Sequence, residues 1–550
     1  MQLSGAQAMV QALEQAGVTT IFGYPGAAIA PFYDALVDST IRHVLTRNEQ
    51  GAAHAASGYA RARQVTGVCV VTSGPGATNA ITGIATAYMD SIPLVIISGQ
   101  VTTDLIGSDS FQEVDITGAT SPFTKHNYLV KSAQDLPRIL KEAFYLASTG
   151  RPGPVLIDVP QDIQAAVFEY ETPGAVDLPG YRLATKARPD LLLAVKTQLE
   201  QARAPIICAG GGVLSSDATQ ELLQLATSCQ IPVVTTMMGI SAIPFDHPLY
   251  LGTLGSHGVF AANYALNKAD LVMLIGARVG NRAMGSAQEI ARRAQIVHID
   301  IDPAEIGKNI KPHTAIIADA RSALADLLAL APRTDTSQWV ATVTAIKATH
   351  HLPERPATAS ATIYPPTLMR ILGELAGPDA IVTTEVGQNQ IWTANHYPFR
   401  RPQTFITSGG MGTMGYGLPS SLGAKVGCPD RTVIAVSGDG SFQMSLQELG
   451  TVKQEKAAVK FVLLNNSRLG MVHEIQSIRY KRYSQVFLEE NPDFEKLAEA
   501  YGFGYSKIHS NDQIAAAITV MLDTPGPYLL ECQIDPHEPT LYPVHKEENR

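Results

Sequence analysis

Three successive doubly wound α/β units, each a parallel sheet covered on both faces by helices, are what this sequence predicts. Three observations lead there. Short Val- and Ile-rich runs alternate with amphipathic stretches of helical length. Glycine-rich loops follow several of those runs, at the strand ends where such sheets take ligands. The third observation is the 550-residue length, too long for one core and matched to about three or four domains.

Residues 1–165 form the first unit, with strands expected at Thr20 to Phe22, Ile41 to Leu45, Val68 to Thr72, Leu94 to Ser98 and Val155 to Val159. Met1 to Gly17 is patterned as an amphipathic helix, not as a signal peptide. Tyr170 to Pro189 carries Pro and Gly with little periodicity and reads as a linker. The second unit, 190–333, has strands expected at Pro205 to Ala209, Val233 to Thr235, Leu271 to Ile275 and Ile296 to Ile299. Residues 334–361, ending in Pro353, Pro356 and a Thr/Ala/Ser run, read as a second linker. In the third unit, 362–545, Thr432 to Val436 and Lys460 to Leu464 have the character of buried parallel strands, with Gln443 to Lys453 as their crossover helix.

Apolar residues make up 45% and charged residues 17%, the balance of an ordinary globular protein. The net charge of −9 is modest and no Lys/Arg cluster stands out, which argues against nucleic acid and anionic membrane as partners. Cys69, Cys208, Cys229, Cys428 and Cys532 are scattered without metal-type spacing, as expected of buried reduced thiols. No apolar run reaches the ~18 residues of a membrane span, so a cytoplasmic protein is expected.

The chemistry concentrates in the third unit. Ser-Gly-Asp-Gly-Ser (437–441) ends one strand, and Asn465-Asn466 ends the next. Asp439, Asn466, a backbone carbonyl and a helix N-terminus would suit a hard cation and a diphosphate. Gly-Asp-Gly alone is weak; combined with the Asn pair it resembles the thiamine diphosphate signature. In the first unit Glu49 opens a helix of small residues, where by itself it is as well explained by the helix dipole as by catalysis. Gly23-Tyr24-Pro25-Gly26 and Ser73-Gly74-Pro75-Gly76-Ala77-Thr78-Asn79 are further strand-end loops.

Taken together these stretches resemble the thiamine diphosphate-dependent acetohydroxyacid (acetolactate) synthase large-subunit family. Gly107 to Asp115, Thr124 to Val130, Gly150 to Pro160 and Gly412 to Pro419 carry further matches, and the likeness spans 1–535. The resemblance implies decarboxylation of pyruvate on thiamine diphosphate and carboligation onto a second 2-keto acid, at a centre shared between two chains. Glu49 would hydrogen-bond the cofactor's pyrimidine. Pro25, Gly26, Gly74, Asn79, Gln388, Asn389, Gly412, Thr413, Gly438, Gly440, Ser441 and Met471 match cofactor contacts, and Met414 matches the wedge under the cofactor. Asp439, Asn466 and the Arg468 carbonyl match magnesium ligands. Arg282 matches the arginine holding the second substrate's carboxylate, with Phe111 and Gln112 as walls from across the interface; Lys125 and His126 fall in that region without an assigned role.

Arg151, Gly210, Gly211, Ser256, His257, Gly276, Arg278, Asp300, Ile301 and Asp319 resemble a site for FAD, although no GxGxxG fingerprint is present. A homodimer or homotetramer, and room for a small regulatory subunit, also follow from the resemblance. Several positions depart from the family pattern. Asn281 replaces an acid beside Arg282, and Ile475 replaces a tryptophan associated with 2-ketobutyrate preference, which points to pyruvate as the acceptor. Ala27 replaces a glycine, Gln161 a lysine, and Asn48 and Asn389 histidines. The alternative is another thiamine-dependent 2-keto acid decarboxylase or carboligase. Glu49, Asp439 and Asn466 argue against a non-catalytic homologue.

Overall fold

The computed structural model describes residues 1–285, 287–350 and 362–541. Three six-stranded sheets organise them, each with every neighbouring pair parallel. The first runs Arg42–Leu45, Thr20–Gly23, Gly67–Val71, Leu94–Gln100, Pro154–Pro160, His126–Leu129. The middle sheet runs Tyr250–Thr253, Val233–Thr235, Pro205–Ala209, Leu271–Ile275, Gln295–Asp300, Thr314–Ile317. The third runs Phe405–Ile406, Ile381–Thr384, Val433–Gly438, Val459–Asn465, Tyr528–Gln533, Gly504–Ile508. Counted within each sheet, the first and third share the order 2-1-3-4-6-5, and the middle one is 3-2-1-4-5-6. Each order changes direction beside its first strand, between strands 1 and 3 in the outer sheets and between 1 and 4 in the middle one, and that reversal opens a crevice at the strand ends.

Leu94–Gln100 and Val459–Asn465 are buried at every position, which is why Leu94 to Ile97 and Phe461 to Leu464 within them appear as apolar runs. The first and third sheets are joined by the Glu49–Arg63 and Gly417–Gly427 helices. A Cβ on Gly58 would lie 2.0 Å from the Ser420 carbonyl oxygen, and one on Gly423 would lie 1.8 Å from that of Ala55. Backbone therefore meets backbone, and only glycine fits there. The middle sheet is tied on by polar contacts, including Arg151 to Asp302 and Glu305 and Arg400 to Asp246, and by Ile240, which is buried in the third unit's core.

The structure corrects three expectations. The stretch 334–361 is not all linker: Ser337–Thr349 is a helix, with Trp339 and Val343 buried and the Trp339 Nε1–H donating to the Pro205 carbonyl at 3.0 Å. Residues 351–361 of that stretch lie outside the described residues, as does 542–545 at the end of the third unit. The crossover from 443 to 453 is broken, with a short turn Gln443–Ser445 and then a helix Glu448–Gln454. Near the break Ser445 Oγ donates to the Gly415 carbonyl at 2.8 Å, a tertiary contact that the local pattern does not encode. Gln2–Ser4 is a strand, paired antiparallel with Val167–Glu169, and the helix begins only at Gly5, where Ser4 and Gln7 form a capping box. Residues 170–188 lack regular structure, and Pro189 opens the Pro189–Gln201 helix. All five cysteines are free thiols, and Cys428 alone is less than buried. Among the described residues no helix is long and apolar enough to cross a membrane.

Candidate active site

The crevice of the third sheet lies between Ile381–Thr384 and Val433–Gly438. Asp439 stands at one lip and Gln388, first residue of the Gln388–His396 helix, at the other. The Asp439 carboxylate is buried, and its Oδ2 accepts from Asn491 Nδ2 at 2.7 Å, while Oδ1 has no partner. Burial pushes this carboxyl up to about 6, against the Asn491 hydrogen bond that pulls it down. Asn466 follows directly on the next strand, donating from Nδ2 to Gln388 Oε1 at 3.0 Å and accepting at Oδ1 from the Arg468 backbone N–H at 3.1 Å. Gln388 Nε2 donates in turn to Glu474 Oε2 at 3.1 Å and to the Glu538 carbonyl at 3.0 Å. Asn389 Oδ1 is also buried without a partner.

An orphaned, buried carboxylate oxygen beside neutral oxygens is the donor set of a hard cation that keeps few protein ligands. Among the described residues no cluster of three His, Cys, Asp or Glu side chains could hold a metal, so a soft-metal centre has no support. Gly440 and Gly470 keep the floor close, since a Cβ on either would strike Leu469 at 2.7 Å or Gln388 at 2.0 Å. Ser441 Oγ donates to the Gly438 carbonyl at 3.2 Å. Asn491 and Gln443 were not legible in the sequence. Gln443 Nε2 reaches the Asp439 carbonyl at 3.0 Å and Asn491 Oδ1 at 2.9 Å, a network assembled only by the fold.

The loop carrying Gly412, Thr413 and Met414 is pinned from below. The wholly buried Glu385 carboxylate accepts from the backbone N–H groups of Gly415 at 2.7 Å and Leu418 at 3.1 Å, and burial pushes it up to about 7. Thr413 N donates to Ser408 Oγ at 3.0 Å, and its hydroxyl meets that of Thr86 at 2.7 Å. Met414 is half-buried.

In the first sheet Asn48 caps the Glu49–Arg63 helix, accepting from Gln50 N at 2.8 Å. Glu49 is buried, and Asn79 Nδ2 donates to its Oε2 at 2.9 Å. Gly26 packs on Thr72, which a Cβ would strike at 2.5 Å, whereas Pro25 is exposed. Gly74 takes φ +56° and sits against the Gln112 backbone. Phe111 is 87% exposed. Among the described residues no hydrogen bond or ion pair joins the Glu49 side chain to Asp439, Asn466 or Gln388 within one chain.

A cleft of about 930 Å³ runs from the middle sheet's crevice to the third sheet. Gly211, Ser256, His257 and Gly276 line it, as do Arg151, Arg278, Asp300 and Ile301. Its other end holds Arg282, Gly412, Met471 and Ile475, so the acceptor-side residues share one cavity. Gly210 packs beneath, where a Cβ would lie 2.1 Å from the Gly276 carbonyl oxygen. Asp319 is not brought to the cleft; it caps the Ala320–Ala329 helix by accepting from Ser322 N at 3.0 Å. Lys125 is engaged elsewhere, donating to the carbonyls of Leu146 and Thr149 at the end of the Leu136–Ser148 helix.

Comparison with known proteins accords with this geometry. The chain matches the thiamine pyrophosphate enzyme N-terminal TPP binding domain over 3–119, the central domain over 192–327 and the C-terminal TPP binding domain over 385–532. It is thus a thiamine pyrophosphate enzyme. A probable acetolactate synthase large subunit of Methanocaldococcus jannaschii is 45% identical over 549 residues, covering 98% of this chain and 93% of the relative. The acetolactate synthase isozyme 2 large subunit of Escherichia coli is 45% identical, covering 97% and 96%. An acetolactate synthase large subunit of Lactococcus lactis is 44% identical, covering 98% and 94%. Within its class, the chain belongs to the family of acetolactate synthase large subunits.

Proposed function

We propose that this chain decarboxylates pyruvate and joins the two-carbon unit to a second 2-keto acid, with pyruvate favoured and 2-acetolactate as product. Thiamine diphosphate, when bound, supplies the electron sink for losing carbon dioxide and forming the new carbon–carbon bond. The chain's residues bind, orient and handle protons. Asp439 Oδ1, Asn466 and the Arg468 carbonyl would hold magnesium. Gln388, Asn389, Gly438, Gly440, Ser441 and Met471 would take the diphosphate end, with Gly412, Thr413 and Met414 beneath. Glu49, oriented by Asn79, holds a proton at its free oxygen in a site where Pro25, Gly26 and Gly74 bring backbone close. Desolvation there strengthens the Glu49 hydrogen bond.

Arg282 takes the acceptor's carboxylate, a task for a planar and permanently charged fork. Its place in the same cleft as Ile475 supports this. FAD is proposed for the cleft's other end, against the Gly210, Gly211 and Gly276 turns and the arginines 151 and 278; its size and glycine-lined strand ends support a dinucleotide. Two copies would complete each centre, one giving Glu49, Phe111 and Gln112 and the other the Asp439 loop. The exposure of Phe111 and the lack of a Glu49–Asp439 link within one chain support that arrangement. We place the domains at 1–165, 190–333 and 362–545, with the Val167–Glu169 strand joined to the first and the Ser337–Thr349 helix packed on the second.

The unpartnered, buried Asp439 Oδ1 carries this reading. The test is purified protein with pyruvate, thiamine diphosphate and Mg²⁺, and identification of the product. Acetolactate is expected; acetaldehyde alone would overturn the carboligase assignment.

A further inference from the structure

The Glu448 carboxylate is buried and forms no ion pair among the described residues, yet both its oxygens are engaged. They accept from the Arg47 backbone N–H at 3.0 and 3.2 Å, and Oε2 also accepts from Thr451 Oγ1 at 2.7 Å. The Asn48 N–H faces the same carboxylate. These two amides immediately precede Glu49, in the turn that opens its helix. Asn48 satisfies only the Gln50 N–H with its own side chain, so the preceding donors depend on Glu448.

Two further features belong to this clamp. A Cβ on Gly51 would lie 2.4 Å from Glu448 Oε1, so the missing side chain is what admits the carboxylate. Arg47 donates to Gln454 Oε1 at 2.8 Å and lies 3.5 Å from the Gly450 carbonyl, while Arg42 pairs with Glu455 at 2.5 Å. All these acceptors lie on or just after the Glu448–Gln454 helix, which follows the Asp439–Phe442 helix and the Gln443–Ser445 turn in the chain.

We propose that Glu448 is a positioning residue for Glu49, fixing the turn that bears it from the element that follows the Asp439 loop of the same chain. This rests on the reading of Glu49 given above. Where two copies supply Glu49 and Asp439 to one centre, the clamp physically connects a residue of one centre with a residue of the other. A carboxylate that must sit within a fraction of an ångström of its partner needs such support.

The test uses the loaded full-length enzyme with Glu448→Gln, Glu448→Asp and Thr451→Val, and Glu49→Gln as control. Glu448→Gln is expected to lower kcat by about ten- to a hundredfold while KM for pyruvate stays within about twofold. Amide exchange should quicken across 42–52 and not elsewhere, and thiamine diphosphate affinity, read from intrinsic fluorescence, should hold. Glu448→Asp should recover part of the rate, and Thr451→Val, which leaves the carboxylate in place, should move kcat in the same direction by less. If Glu448→Gln fails to fold, Thr451→Val decides the matter. The inference is overturned if both variants keep kcat within about twofold while Glu49→Gln is inactive, or if exchange quickens throughout the chain. An active Glu49→Gln enzyme overturns the reading of Glu49 itself, and this inference with it.

Discussion

Asn79 donates its side-chain amide to Glu49 Oε2 at 2.9 Å, and the other carboxylate oxygen faces Gly76, where a Cβ would come within 3.4 Å. One oxygen is thus oriented and the other left in a space that a methyl would fill. Glu49→Gln keeps an acceptor for Asn79 but cannot exchange a proton, so acetolactate formation should fall by about 10²- to 10⁴-fold with an unchanged melting temperature. Steady-state assays and thermal denaturation check both halves.

The cation site predicts a simple chelation result. EDTA should abolish activity and Mg²⁺ restore it, whereas Asp439→Ala should stay inactive at any practical Mg²⁺ concentration. That variant removes the carboxylate from a proposed ligand set whose other members, Asn466 and the Arg468 carbonyl, are neutral oxygens. Titrating Mg²⁺ into the chelated enzyme tests it.

Ile475 shares the cleft with Arg282. Ile475→Trp should shift the product ratio toward the 2-ketobutyrate adduct by about tenfold or more, the scale of one apolar pocket contact. Competition between the two acceptors in one reaction reads this directly.

Glu385 gives a pH prediction. Its carboxyl is raised from 4.5 to about 7, so between those values the folded chain keeps a proton that the unfolded chain has released. That contribution to stability is present at low pH and lost as pH rises through the folded value. Glu385→Gln lacks it. The stability advantage of the parent over the variant should therefore shrink from pH 4.5 to 7, measured as urea midpoints across that range.

The flavin reading predicts a yellow protein that releases FAD in stoichiometric amount on denaturation. Arg278→Ala should purify with less flavin, because it removes a cation from the cleft wall. Absorbance of the released chromophore decides it.

Much of this was legible where the signal is local. Pro205 to Ala209 and Leu271 to Ile275 match the observed strands end for end, because strands buried on both faces are continuous apolar runs. The Ser337–Thr349 helix was missed because only Trp339 and Val343 are buried, too few to set a helical period. The Gln2–Ser4 and Val167–Glu169 strands are three residues each, too short for any pattern. At the site, Asp439 and Asn466 stand out by residue type and spacing, whereas Glu49 is singled out only through the family resemblance. Asn491, Gln443 and Glu448 are marked by neither: each is an ordinary polar residue whose role exists only once distant segments meet.

The close crossing of the Glu49–Arg63 and Gly417–Gly427 helices, with no side chains between them at Gly58 and Gly423, bears on how the molecule melts. No layer remains through which solvent could separate the flanking sheets, so in a scanning calorimeter they should take up heat as a single peak. The middle sheet, attached through the Arg151, Asp302 and Glu305 ion pairs as well as through Ile240 in the third unit's core, is the portion whose transition added salt should pull to lower temperature.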